Sequence, residues 1–174
     1  GARLSSLIEN VLDFARIEQN RKTYTLDETD ISSLIQDTIR LMTPQAKARE
    51  VVIESSLQPL THVPKLDAPA LQQALINLVD NAIKFSPVGA TILITLEENL
   101  KEKQWSLSVQ DHGPGIPAAE RERIFERFYR LGNELRRETQ GTGIGLSLVN
   151  HIVEGNGGRI SVTCEEGACF KMSF

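Results

Sequence analysis

The chain has 174 residues, 40% of them hydrophobic and 24% charged, with 19 Lys and Arg against 23 Asp and Glu for a net charge of −4. That is enough for one good core, or one domain with an appendage, at the composition of an ordinary soluble globular protein. The acidic balance speaks against a nucleic-acid surface, and neither a signal peptide nor an apolar run of the roughly 20 residues a transmembrane helix needs is present. The opening GARL carries no initiator Met and runs straight into a helical pattern, which reads as a piece of something longer.

Residues 2–19 form the first predicted helix. Leu4, Leu7, Val11 and Phe14 keep a 3–4–3 spacing that Ile8, Leu12 and Ala15 widen, the pattern of a bundle or coiled-coil helix. Alone it would expose a long apolar face, so a partner helix or self-association is expected. Residues 24–28 read as a short strand. Asp30 then caps a helix over 31–48, whose core face is Leu34, Ile35, Thr38, Ile39 and Met42. Residues 49–55 read as a strand, and 58–69, with three prolines, as connection.

Residues 71–87, LQQALINLVDNAIKFSP, predict a helix that is apolar around most of its circumference. Gln73, Asn77, Asp80, Asn81 and Lys84 collect in one narrow polar stripe. Asn is a poor helix former, so two of them one turn apart need a reason. A stripe on an otherwise buried helix must meet hydrogen-bonding partners, which points to a cleft-lining face presenting amides and one cation to a polar ligand.

A hairpin follows over 91–97 and 104–111. Asp111 continues the row of Trp105, Leu107 and Val109, so it sits at the buried end of a strand and requires a donor from protein or ligand. GPGIP at 113–117 breaks regular structure. Residues 118–129 predict a short helix with Ile124, Phe125 and Phe128 inward, and 130–141 a charge-rich mobile loop. A helix over 144–154 ends at the glycines of 155–158, and a last hairpin spans 159–164 and 169–174. Cys164 and Cys169 flank its turn and read as free thiols.

Two glycine loops carry chemistry. Gly113 and Gly115 lack the third glycine of a dinucleotide fingerprint, and GTGIGLS at 141–147 lacks the Lys-Ser/Thr of a Walker loop. What GTGIG supplies is backbone N–H groups at a helix N-terminus, open to an anion. Combined with a buried Asp and the stripe of Asn77, Asn81 and Lys84, they describe a nucleotide site of a non-Walker kind. A carboxylate accepts from an exocyclic amino group and selects adenine over guanine. Amide oxygens are neutral, hard Mg²⁺ ligands that leave the phosphates to complete the shell.

In order, NLVDNAIKFSP resembles the N box, DHGPGIP the G1 box, ERIFERFYR the F box and GTGIGL the G2 box of sensor histidine kinases. The likeness covers essentially the whole chain. It implies an α/β (α+β two-layer) Bergerat-type fold, with a mixed sheet packed under three helices and one long bundle helix ahead of it. Residues 1–22 would be the C-terminal part of the second dimerisation-domain helix, and 23–174 the ATP-binding catalytic domain with a lid over about 129–143. The family would make Asn81 the Mg²⁺ ligand, give Asn77 and Lys84 to the phosphates, and Asp111 to the adenine amino group. Gly113 and Gly115 would shape the adenine pocket with Ile116 beside them. Phe125 and Phe128 would anchor the lid, from which Tyr129 and Arg130 reach the nucleotide. Gly141, Gly143 and Gly145, with Thr142 and Ile144 between them and Leu146 after them also at the nucleotide, would let the lid close. Gln140 stands where a further glycine is common.

Gyrase-like, Hsp90-like and mismatch-repair ATPases, and serine kinases of anti-sigma systems, resemble the chain at the second Asn but place Glu where Asn77 stands. Water and serine profit from a general base, whereas a neutral histidine already carries a lone pair. Asn77 therefore favours transfer to histidine. His62, His112 and His151 lack the setting of a phosphoacceptor, so the acceptor is expected upstream. The implied cofactors are ATP and Mg²⁺. The implied partners are the dimerisation helix bearing the acceptor and a response regulator, in a homodimeric cytoplasmic assembly whose parent is membrane-anchored. The rivals are a gyrase- or Hsp90-like ATPase fragment and a degenerate nucleotide- or partner-binding module.

Overall fold

Two aspartates start two 18-residue helices by the same device. The Asp30 carboxylate accepts from the Ser33 amide ahead of α2 (Ile31–Ala48), and Asp67 from the Ala70 amide ahead of α3 (Ala68–Phe85). In the computed structural model, residues 2–18, 23–126 and 145–174 are described. The first helix is α1 (Ala2–Glu18), and α4 (Gly145–Gly155) follows the glycine run. The strands are β1 (Asp27–Glu28), β2 (Val52–Leu57), β3 (Lys65–Leu66), β4 (Thr91–Asn99), β5 (Gln104–Gln110), β6 (Arg159–Thr163) and β7 (Cys169–Ser173).

Five of these strands form a mixed sheet in the order β2-β4-β5-β7-β6, and β1 pairs with β3 in a separate two-residue ladder. β2 and β4 run parallel, as a crossover through α3 requires, and every other pair is antiparallel. The register lines up one face of the sheet: Leu96 opposes Leu107, Leu107 opposes Met172, and Val109 opposes Phe170. On that face α2, α3 and α4 are laid, with α3 between its two neighbours. Leu71, Leu75 and Leu78 of α3 meet Ile92, Ile94 and Leu107 of the sheet and Leu148 and Ile152 of α4, each at 0–1% exposure. Cutting one of these leucines to Ala would cost about 2–5 kcal/mol. The opposite sheet face carries Ser106, Ser108, Thr95, Glu97 and Lys171. The expected mixed sheet under three helices, preceded by one long helix, is what the chain forms.

Several boundaries differ from expectation, each with a local cause. Residues 24–26 are not strand. The Tyr24 hydroxyl lies 2.7 Å from His151 Nδ1, and a Cβ at Gly155 would lie 2.2 Å from the Tyr24 ring, so this segment is fastened to α4 instead. Burial, then the nearby carboxylates of Asp13 and Asp67, push the Tyr24 phenol well above its usual range. β2 starts late because Arg49 and Val51 spend their amides on the Ala46 carbonyl at the end of α2. α3 starts three residues early, with Pro69 in its first turn, where a missing N–H costs nothing. The expected strand over 24–28 is present at Asp27–Glu28, and its partner β3 lies in the proline-bearing stretch expected to be connection. Residues 118–125 form two short 3₁₀ turns, Ala118–Glu120 and Arg123–Phe125, rather than a helix. Ile124 is buried and Phe125 packs edge-on to Phe170, so the inward pair stands. Phe85, counted among the apolar residues of α3, is 37% exposed. Cys164 and Cys169 are free thiols, and burial raises the Cys169 thiol above its ordinary value.

Candidate nucleotide-binding site

Asp111 follows β5 on its buried face and is 4% exposed. Its Oδ1 accepts from the Gly113 amide at 2.9 Å and from the Ala168 amide at 2.9 Å, while its own amide donates to the Ala168 carbonyl. Oδ2 accepts nothing among the described residues, yet no buried side-chain oxygen is left unsatisfied, so Oδ2 is open to solvent. The protein thus holds one carboxylate oxygen with two N–H groups and leaves the other as an aimed acceptor.

The loop after Asp111 is packed tightly against the end of α3. A Cβ at Gly113 would lie 2.6 Å from the Phe85 carbonyl oxygen, which only glycine permits. The His112 amide reaches the Ser86 hydroxyl, and its ring Nδ1 lies 2.6 Å from the Thr91 carbonyl. Gly115 adopts φ +76°. Ile116 is 7% exposed; its amide donates to Cys164 Sγ and its carbonyl accepts from Arg121 Nε. This end of the site is a closed frame: the end of α3, the loop over 111–116 and the β6–β7 turn each hold the next.

On α3 itself the stripe divides. Asn81 is half-buried and makes no side-chain hydrogen bond among the described residues. Asn77 is 8% exposed and engaged by Asn10 of α1, whose Nδ2 donates to Asn77 Oδ1 at 2.9 Å. Lys84 Nζ pairs with Asp80 Oδ2 at 2.9 Å, and Asp80 Oδ1 accepts in turn from Gln45 of α2. Gly145 and Leu146 open α4, with Leu146 packed on the core. Phe128, Tyr129, Arg130, Gly141, Thr142, Gly143 and Ile144, and with them the lid, lie outside the described residues.

The family model for histidine kinase-, DNA gyrase B- and HSP90-like ATPases matches residues 66–174. The chain belongs to this family. The sensor histidine kinase AruS of Pseudomonas aeruginosa is 35% identical over 170 residues, 96% of this chain and 17% of AruS. The adaptive-response sensory kinase SasA of a Synechococcus strain is 34% identical over 92% of this chain and 42% of its own. The crystal structure of full-length ShkA in complex with AMPPNP superposes with a TM-score of 0.81 at 31% identity, over 98% of this chain and 35% of ShkA. The chain therefore spans less than half the length of these relatives, and it is their ATP-binding catalytic part that it resembles. The Bergerat-type fold expected from the four boxes is the fold observed.

Within that family site, sequence reading missed the residues that build Asp111 rather than touch a ligand. Gly167 has φ +95°, and a Cβ there would lie 2.5 Å from the Asp111 carbonyl oxygen. Ala168 and Cys164 hold the neighbouring backbone. The available signal was a glycine two residues before a strand that returns beside the one preceding Asp111. Asn10 was missed as well, because a lone Asn on a bundle-like helix carries no signal of its partner. Among the described residues no group of three His, Cys, Asp or Glu side chains could hold a metal. No described helix is long and apolar enough to cross a membrane.

Proposed function

We propose that this chain binds Mg·ATP and, in the longer protein of which it forms a part, transfers the γ-phosphate to a histidine on a dimerisation helix. A response-regulator Asp would then receive the phosphoryl group, and the parent would act as a homodimer. The observation that carries the reading is Asp111, with Oδ1 held by two backbone amides and Oδ2 open. An acceptor fixed in this way at a buried strand end suits the exocyclic amino group of adenine, and Gly113 lets the loop that carries it close against the end of α3.

The residues present fit the remaining group as well. Asn81, half-buried and without a side-chain hydrogen-bond partner among the described residues, offers a neutral hard oxygen to Mg²⁺, and with no acidic metal cluster among those residues the phosphates would supply the other ligands. The ion would neutralise phosphate charge. Asn77 and Lys84 would serve the phosphates from the same stripe. Asn77 leaves no general base at the position where the ATPase relatives carry Glu, which suits a nucleophile that needs none and disfavours steady hydrolysis.

Titration of the chain with AMPPNP, with and without Mg²⁺ and against GTP, tests the reading. Binding should be adenine-selective and Mg-dependent, and Asn81→Ala should weaken the Mg-bound form roughly tenfold, the worth of one lost ligand-sized interaction. A folded chain that binds no adenine nucleotide would overturn it. Steady ATP hydrolysis by the chain alone would point to the gyrase-like alternative.

A further inference from the structure

Two amides of the α3 stripe face α1. Asn10 Nδ2 donates to Asn77 Oδ1 at 2.9 Å, Gln73 Nε2 donates to Asn10 Oδ1 at 3.0 Å, and Asn77 Nδ2 reaches that same oxygen at 3.4 Å. Asn77 is only 8% exposed under this contact, so the helix that covers it also satisfies both its polar atoms. Meanwhile Asn81, one turn on, has no such partner among the described residues.

Much of the apolar surface of α1 stays open, although Asp13 is buried near Tyr24 and Phe14 is half-buried. Leu4, Leu7, Ile8, Val11 and Leu12 are 41–60% exposed, and of its apolar residues Ile17 is the one that packs on the core. At 100° per residue, Asn10 and Ile17 fall in one arc, Leu4, Ile8, Val11 and Leu12 in another about 150° away, and Phe14 and Leu7 lie between them. Asn10 and Ile17 therefore lie off the apolar face left open and adjoin it through Phe14 and Leu7. A partner helix can take the second face and, by turning α1, withdraw the first.

We propose that Asn10 is an internal competitor for the phosphate end of the site. With α1 docked, its amide occupies Asn77, so α1 docking and Mg·ATP binding oppose each other. By linkage the effect runs both ways: withdrawing α1 tightens nucleotide binding, and nucleotide loosens α1. The proposal rests on the assignment of Asn77 to the phosphates made above. Asn10 is a positioning residue here, acting through Asn77.

The test is AMPPNP affinity in the presence of Mg²⁺ for four chains: parent, Asn10→Ala, Asn77→Ala and the double variant. Ala at a half-exposed helix position does not threaten folding. Asn10→Ala should tighten binding roughly fivefold, the worth of about one net amide hydrogen bond, and should change nothing once Asn77 is Ala. Hydrogen exchange along α1 should rise on adding Mg·AMPPNP to the parent. A role in packing alone would shift Tm and leave the Mg-dependent affinity where it was, which overturns the proposal. Weaker binding by Asn10→Ala overturns it too. If the parent binds nucleotide and Asn10→Ala has no effect, only the competition falls. If the parent binds none, the site assignment falls and the competition with it.

Discussion

The two ends of the candidate site are built on different principles. At the adenine end, Asp111 is fixed by backbone: two amides on Oδ1, a glycine against the Phe85 carbonyl, and a β6–β7 turn behind. At the phosphate end, Asn77 and Lys84 are side chains with other partners, Asn10 and Asp80. Backbone amides at a strand end cannot be withdrawn without opening the sheet, whereas a side-chain bond between helices breaks for about 1 kcal/mol. On the proposed reading, the end that would recognise the base is therefore preorganised and the phosphate end adjustable, so that recognition of the nucleotide could stay constant while its loading is regulated.

The sharpest way to break this comparison is Asp111→Asn. The amide keeps an oxygen for Gly113 and Ala168 but puts a donor where Oδ2 would meet the adenine amino group of the proposed ligand. Affinity for AMPPNP should fall roughly 50-fold, from the loss of a charge-assisted bond and a donor facing a donor, while stability falls by no more than about 1 kcal/mol. Calorimetric titration beside a thermal melt reads both. If affinity survives, the open oxygen does not meet the base.

Gly167→Ala probes the frame without touching the nucleotide. The residue stands at φ +95°, and its new Cβ would lie 2.5 Å from the Asp111 carbonyl and 2.8 Å from Oδ1. Strain and overlap together should cost about 2–4 kcal/mol, read as a lowered denaturant midpoint. Binding should weaken as Asp111 shifts. An unchanged midpoint would mean that the frame yields, and that the adenine end is no more rigid than the other.

What could be read from the sequence follows the same division. Periodicity carried the core: the alternation of Ile92, Ile94 and Leu96 and the wide apolar belt of α3 both depend on local spacing, and both faces are buried as expected. Parity alone placed Asp111 at a buried strand end and required donors for it. Which donors it met was not legible, because Ala168 is 57 residues away and an Ala announces no hydrogen bond. The partners of the stripe were illegible for the same reason. Asn77 could be seen to need company, but Asn10 lies 67 residues earlier on a helix whose apolar seam dominates its pattern. Boundaries failed where a distant contact outweighed local propensity, as with Tyr24, drawn to His151 rather than into a strand.

The mildest test falls on Lys84. Its ammonium is paired with Asp80 at 2.9 Å, with side-chain exposures of 16% and 25%, and Asp80 keeps Gln45 when the pair is broken. A partly exposed i,i+4 ion pair contributes less than about 1 kcal/mol, so Lys84→Met should barely move the thermal midpoint. Because Lys84 must leave Asp80 to meet a phosphate, its gain there is a difference between two charge partners. The loss in AMPPNP affinity should be only about threefold, and smaller still at high salt. Asp80→Asn removes the competing partner, and with it one negative charge near the phosphates, and should raise affinity slightly. A loss of a hundredfold or more for Lys84→Met would instead make the phosphate end as preorganised as the adenine end, and the contrast between them would fail.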